Sequence, residues 1–515
     1  MKIRNLISAI FALTIIIAGC SKDYLDTIPS SSTGSATIFE TTQNAKLAVN
    51  GLSKLMTMQY IGTQGYNGEG TIKMYYGNYQ GNHFTVNMPN SSNTLNSNNF
   101  NNTTSTLDYY PWYYYYRIIS NANTIINNID NASGPDNEKQ YIKAQALTYR
   151  AYCFMMLSQL YSYRWSDSNN GASLGLILRL DSSSGDMERS TLGETYKQIY
   201  DDLEEAIPLY IASGFKRDNE IDDHFVINLE AAYAIYARAS LNRQDYAKAA
   251  EMAVKARAGH SLMSVADYTG SGFSKPTSEW IWGISGIPEE TLYFYQFFAY
   301  IGYNSTASAV KSYPKCISKE LFDKIPSTDV RKGLFLDPAG KEFNATTGQA
   351  SNAWRDEIRT STGVDPTASV YAYMQFKMKA QAMAGVGHLN NFRSSEMYLI
   401  EAEANYFLNK ENEARTAMNT LNKSSQRDPS YDCTATGTTL LEEIKMYRAL
   451  ELWGEGFDWF DMKRWGDPIE RKAYGSGGSF VAALAVTIQP NENFKWTWQI
   501  PQKETDYNKL CQLNP

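Results

Sequence analysis

The 515-residue chain is short of the residues that most catalytic and metal chemistry uses. It has four histidines, and His83, His224, His260 and His388 are scattered along it. Beyond Cys20, the remaining cysteines Cys153, Cys316, Cys433 and Cys511 are widely spaced and form no CxxC pair. Structural zinc needs closely spaced ligand pairs, so none is expected. Motifs of the HExxH, GxSxG and Walker types are absent, and no metal or cofactor is predicted. Charged residues make up only 20% of the chain and the net charge is −7. An acidic balance argues against nucleic acid, whose phosphates call for a basic surface. No run of 18 or more apolar residues occurs, so nothing should cross a bilayer as a helix.

Aromatic residues are plentiful instead. They reach 13%, and 37 of them are tyrosines. Tyrosine and tryptophan combine a flat apolar face with a polar edge, which suits sugars and other amphipathic ligands. Most of these rings are expected to pack between helices.

The N-terminus carries a second pattern. Lys2 and Arg4 precede an apolar run from Leu6 to Ala18, which has the size of a signal-peptide core, about 7–15 residues. It ends in Ile17, Ala18, Gly19 and Cys20, small residues before a cysteine as in a bacterial lipobox. Residues 1–19 are therefore read as a signal peptide and Cys20 as a lipidated, palmitate-bearing N-terminus. Two or three acyl chains on one residue hold a protein stably on a membrane, where one is marginal. Residues 20–37, rich in Ser and Thr, read as a flexible tether. The body spans 38–515.

The body is mainly α. Apolar residues recur at helical spacing over Phe39–Met58, Trp112–Ile129, Tyr141–Tyr161 and Leu192–Tyr210. Thr191 and Glu194 form a capping-box pair before the last of these. Residues 229–258 and 394–423 repeat one another. Ala237 and Ala249 are twelve apart, as are Ala402 and Ala414. Small residues at that step let two antiparallel helices pack closely across a short turn, as in tetratricopeptide repeats, which stack into solenoids. The helix 192–210 offers a further unit with 141–161. The fold predicted is a tetratricopeptide-like helical repeat scaffold (about 38–60, 109–261 and 391–466) with a large irregular, loop-rich lobe (about 61–108, 262–390 and 467–515). A few short strands are expected, one at Trp280–Ile284, where the Trp-Ile-Trp-Gly-Ile run alternates as a short strand would.

Two stretches are specific. Glu451, Glu455, Gly456, Asp461, Arg464 and Trp465 are similar to the E-x-x-x-E-G-x-R-x-x-D-x-x-R-W signature of the SusD/RagB family of outer-membrane nutrient-binding lipoproteins. Arg393, Glu396, Tyr398, Leu399, Ala402, Glu403 and Ala404 resemble that family's R-x-x-E-x-Y-L-x-x-A-E-A helix. Asp329 with Arg331, the helix from Trp112 to Asn123, the Ile500, Pro501, Gln502 end and, weakly, the Ser21, Lys22, Asp23 stretch also fit. Asp458 departs from the signature, where Arg or His is usual, and is read as a change of local pairing. The resemblance implies a non-catalytic, surface-exposed lipoprotein that captures a glycan and passes it to a SusC-type TonB-dependent transporter of the outer membrane. Capture of a peptide or another nutrient, and a purely protein-binding helical repeat, are the alternatives.

Glu396, Glu401, Glu403, Glu451, Glu455 and Asp461 could be read as a paired-carboxylate glycosidase. However, Arg393, Lys463 and Arg464 are interleaved with them, which makes ion pairs the expected use. Ligand contacts are expected instead from aromatic loops with amides nearby. The candidates are Tyr66, Asn67, Tyr75, Tyr76, Tyr79, Asn82 and His83 in one loop and Tyr293, Tyr295, Tyr300, Tyr303 and Asn304 in another, with Trp280, Trp354 and Arg355 beside them. The lipobox reading has a direct test. Labelled palmitate should enter the protein in a bacterial host, and Cys20→Ser should abolish labelling and release the chain from the membrane fraction.

Overall fold

The computed structural model describes residues 35–60, 65–98, 101–181, 183–217, 221–289 and 296–515. The signal peptide and Cys20 lie outside these residues. Of the expected tether, Ser35–Ile38 already form a helical turn.

The longer helices are α1 (Thr42–Leu55), α2 (Thr106–Asn128), α3 (Asp136–Tyr161), α4 (Leu192–Ser213), α5 (Leu229–Asn242), α6 (Tyr246–Ala256), α7 (Asn352–Thr362), α8 (Ser394–Phe407), α9 (Glu411–Asn419), α10 (Gly437–Glu451) and α11 (Asp458–Trp465). Helices α2 to α6 each pack on the next, and α8 joins the stack against α6 and α9. α1 lies across α2 and α3. This is a mainly helical, tetratricopeptide-like arrangement. α4 starts at the expected capping box, with Thr191 and Glu194 bonding each other's backbone.

The repeat holds at the level of single hydrogen bonds. After α5, the amides of Arg243, Gln244 and Asp245 donate to Ala239, Leu241 and Ser240. After α8, Leu408, Asn409 and Lys410 donate to Ala404, Tyr406 and Asn405. Gln244 and Asn409 occupy the same turn position with φ of 63° and 58°. Ala237, Ala249, Ala402 and Ala414 are all fully buried, which is why no larger side chain fits the step.

Strands are short and paired antiparallel: β1 (Phe84–Val86) with β3 (Lys315–Ile317), β2 (Trp280–Ile284) with β4 (Leu389–Arg393), and β5 (Ile469–Glu470) with β6 (Thr487–Ile488). The β2–β4 ladder sets Trp280 opposite Arg393. The stretch 61–108, read as irregular, contains short helical segments among its described residues, including Pro89–Ser91 and Ser92–Leu95. Gly68–Thr71 are α-helical and Ile72–Asn78 continue as a π-helix.

Arg393 ends β4 at the centre of a buried charge cluster. Its Nη1 reaches Glu279 at 2.6 Å and Glu451 at 2.7 Å, while Nε and Nη2 hold Glu455 at 2.8 and 2.7 Å. Arg331 bridges Asp329 (2.7 Å) and Glu451 (2.8 Å). Arg427 reaches Glu279 at 2.9 Å, and Lys377 reaches Glu455 at 2.8 Å. Burial favours the neutral acid, but Arg427, Arg393 and Arg331 hold the Glu451 carboxyl well below the usual carboxylate range. The other signature charges are equally occupied. Asp461 takes Arg448 at 2.7 Å, Arg464 grips Glu403, and the Lys463 ammonium caps the Gln159 and Ser162 carbonyls at the end of α3. Cys153, Cys316, Cys433 and Cys511 are buried free thiols. Among the described residues no helix is long and apolar enough to cross a membrane.

Apart from these networks lies a buried acid without hydrogen-bond partners. Asp108, in the first turn of α2, is fully buried, and neither carboxylate oxygen has a partner. Burial pushes its pKa up to about 9, against about 3.9 in an unfolded chain. The folded form thus binds a proton that the unfolded form releases, and stability falls as pH rises between these values. Asp108→Asn removes this dependence. In chemical denaturation the variant should be more stable than the parent by about 2–4 kcal/mol near pH 7. The difference should shrink toward zero as pH falls to about 4.

Candidate functional site: a belt of tyrosines

The segment from Tyr66 to Gly81 is held from below at several points. Gly68 has φ of 47°, and a Cβ there would stand 1.7 Å from the Met56 carbonyl oxygen, so only glycine allows the approach. The Glu69 side chain points into the core and accepts hydrogen bonds from three phenols: Tyr152 at 2.7 Å, Tyr115 at 3.0 Å and Tyr114 at 3.2 Å. Burial raises the Glu69 carboxyl above its ordinary range, against the pull of Tyr152 and Lys73. Lys73 donates to the Glu455 carbonyl at 3.2 Å, and burial lowers its pKa to about 8. Asn78 spans the signature loop, donating to the Gly454 carbonyl at 3.0 Å and accepting from the Gly456 amide at 2.8 Å. The wider turn of the π-helix closes with the Tyr79 amide bonding the Met74 carbonyl at 3.1 Å, an i to i+5 step.

What this mounting presents is a row of half-buried rings. Tyr75 meets Tyr79 edge-on at 5.4 Å and Tyr300 at 6.1 Å, and the Tyr300 phenol hydrogen-bonds that of Tyr75. Tyr66 tilts against Tyr110 at 5.1 Å. Its backbone carbonyl receives the Tyr60 amide at 2.8 Å, so Tyr60 sits beside it. Tyr60 in turn meets Tyr113 at 4.5 Å and Tyr109 at 6.1 Å, and the Lys503 ammonium lies 4.3 Å from the Tyr109 ring centre. Tyr66, Tyr75, Tyr300, Tyr109 and Tyr113 are all partly exposed. Burial, with Tyr75 beside it, pushes Tyr66 up to about 12. Burial also raises Tyr75, so both phenols stay neutral donors at physiological pH. Offset ring faces with neutral hydroxyl edges can stack on C–H surfaces and bond hydroxyl groups.

The other expected residues are placed differently. Tyr76 is fully buried and donates to the Leu107 carbonyl at 2.6 Å, and Tyr79 packs on Phe84 at 5.6 Å. Asn67 is buried at the start of the helical turn. Asn82 spends its amide on Pro468 (3.0 Å) and Glu470 (2.8 Å). His83 pairs with Asp458 at 2.6 Å, so the residue that departs from the signature has found a local partner. Trp280 is fully buried in β2, its indole bonded to the Gly272 carbonyl at 2.8 Å. Tyr303 is half-buried on Phe376 at 5.4 Å, and Asn304 pins Ala380 through both amide atoms at 3.0 and 2.8 Å. Trp354 is buried in α7 against Phe343, and Arg355 pairs with Asp356 at 3.3 Å. Tyr293 and Tyr295 lie outside the described residues. The belt thus unites Tyr66, Tyr75 and Tyr300 from two distant stretches. It also includes Tyr109 and Tyr113, joined to Tyr66 through the buried Tyr60 and Tyr110, which the sequence reading did not place there. The i, i+4 spacing of Tyr109 and Tyr113 at the start of a helix was the available sign.

A family model described as starch-binding and associating with the outer membrane matches residues 23–241. A second, described as the SusD family, matches 294–515. A solved SusD-like carbohydrate-binding protein from Bacteroides vulgatus is 22% identical and superposes with a TM-score of 0.75, covering 92% of this chain and 98% of its own. A SusD superfamily protein from Bacteroides thetaiotaomicron is 23% identical with a TM-score of 0.74, covering 92% of this chain and 100% of its own. No curated protein matches the chain.

The mounting of the belt has its own test. Glu69→Ala leaves three phenols without their acceptor and opens a cavity beneath the segment. It should cost about 3 kcal/mol in chemical unfolding, while Tyr152→Phe should cost about 1 kcal/mol.

Proposed function

The chain belongs to the SusD/RagB family, and from that premise we propose that it is a surface lipoprotein that captures glycan and delivers it to a SusC-type TonB-dependent transporter. The observation that carries this reading is the tyrosine belt. Tyr66, Tyr75, Tyr109, Tyr113 and Tyr300 are partly exposed and are linked by ring contacts, some of them through the buried Tyr60 and Tyr110. Such a surface suits an oligosaccharide or polysaccharide, whose units alternate C–H faces and hydroxyl edges.

Capture without turnover is the second part of the proposal. A glycosidase needs two carboxyl groups free to exchange protons and reach the glycosidic bond. Here Glu279, Glu451, Glu455 and Asp329 are buried in ion pairs, and Glu403 and Asp461 are gripped by Arg464. Lipid attachment at Cys20 and residence on the outer membrane complete the proposal.

Amylopectin is the first probe, because a matching family model is described as starch-binding. In native gels containing the polysaccharide, the mature chain should be retarded with no release of reducing sugar. The double change Tyr75→Ala, Tyr300→Ala should weaken retardation about ten-fold or more while leaving the unfolding midpoint close to that of the parent. Retardation by none of a panel of polysaccharides, together with tight binding of peptides, would replace glycan by peptide as the cargo.

A further inference from the structure

Away from the belt, the structure holds a cavity of about 470 Å³ between α1, α3, the residues before α5 and the end of β2. Its size falls within the usual range of small-molecule sites, about 300–1,000 Å³. No belt tyrosine lines it.

Its walls are arranged for a neutral, hydroxyl-rich guest. Asn50, Ser53 and Thr57 recur at helical spacing along α1 and just past its end, so their polar groups share one wall. Gln145 of α3 stands in the cavity wall with its amide plane fixed, because its Nε2 donates to the Ile227 carbonyl at 3.0 Å. One turn further on, the Tyr149 phenol hydrogen-bonds Ser53. Phe225 supplies an aromatic surface, and its own ring is braced by His388 at 4.6 Å. The imidazole is itself fixed, as its Nδ1 accepts the Gly286 amide at 3.1 Å. Among the described residues no carboxylate lines the cavity, and Lys54 is its one cationic side chain. Two amides, several hydroxyls and one aromatic face match the needs of a sugar ring. A strongly charged ligand would require more than one cation.

We propose that this cavity is a second carbohydrate site, taking one or two neutral sugar units. Its lining supports this independently of the belt, and only the choice of sugars as probes rests on the function proposed above. A shallower cleft shares Thr57 and Ser285 with it and reaches Asn67, next to Tyr66. No belt tyrosine lines that cleft either.

The test uses the mature chain and ligand-observed saturation-transfer NMR with glucose, galactose, N-acetylglucosamine, maltose and lactose, one at a time. At least one should receive transfer from the parent and, unchanged, from the Tyr75→Ala, Tyr300→Ala variant. Asn50→Trp, at an exposed helix position, should block the mouth, and Gln145→Leu should remove the fixed amide. Each should weaken that sugar about ten-fold, the equivalent of one lost hydrogen bond. Both should keep amylopectin retardation, which also reports that they are folded. Transfer from none of the sugars overturns the proposal. So does transfer that disappears in the belt variant and persists in Asn50→Trp. Failure of the parent to bind any of the polysaccharide panel, with sugar transfer intact, would overturn the belt reading and leave this one standing.

Discussion

The contact on which the rest depends is that between Arg393 and the carboxylates of Glu279, Glu451 and Glu455. All four side chains are buried, so each charge has given up water and must be repaid by its neighbours. Together with Arg331, Arg427, Lys377 and Asp329 they form a set of four cations and four anions. Replacing one member leaves an uncompensated buried charge, which costs about 3–5 kcal/mol in comparable sites. The cluster is therefore a poor source of net stability but a strict condition on which segments come together.

Those segments are far apart in the chain. Glu279 precedes β2, Asp329 caps a short 3-10 helix that holds Arg331, Lys377 lies between α7 and β4, Arg393 ends β4, Arg427 follows α9, and Glu451 ends α10. The helical stack and the irregular part thus meet at one electrostatic knot and share one apolar core. The knot also reaches the belt. Glu455 and the turn after it, Gly456, take Lys73 and Asn78 from the π-helical segment. The signature loop thus braces the belt segment through the backbone at Gly454, Glu455 and Gly456.

Much of the scaffold was legible in the sequence because local rules govern it. Helical periodicity marked α2, α3 and α4, a capping box marked the start of α4, and alternation marked β2. The twelve-residue step between alanines marked the repeat, since close helix packing admits little else. The π-helix at Ile72–Asn78 was not legible. Its segment is rich in Gly, Tyr and Asn, which locally favour loops, and its helical form depends on Glu69 reaching three phenols from α2 and α3. Partners for the signature charges were hidden for the same reason: Glu279 and Arg427 come from parts of the chain with no mark of their own, and Asp329 with Arg331 stood out without showing what they pair with. Composition gave the abundance of tyrosine but not which rings face outward. Tyr113 is half-exposed and Tyr114 and Tyr115 are buried, although the three are consecutive.

The balance of the charge cluster bears on the ligand as well as on the fold. Four buried cations are offset by four buried anions, and burial raises the Tyr66 and Tyr75 phenols so that they stay neutral. Lys503 beside Tyr109 is a cation at the belt, and Glu69 beneath it is enclosed by phenols. A strongly anionic ligand would find little compensation there, while an uncharged polyol would lose nothing for the lack of it. The same balance recurs in the cavity beside α1, where amides and hydroxyls outnumber charges. At the belt the balanced charge beneath, and in the cavity the lack of carboxylates and the single lysine among the described residues, are the separate physical grounds on which the proposed ligands are neutral sugars rather than phosphorylated or acidic ones.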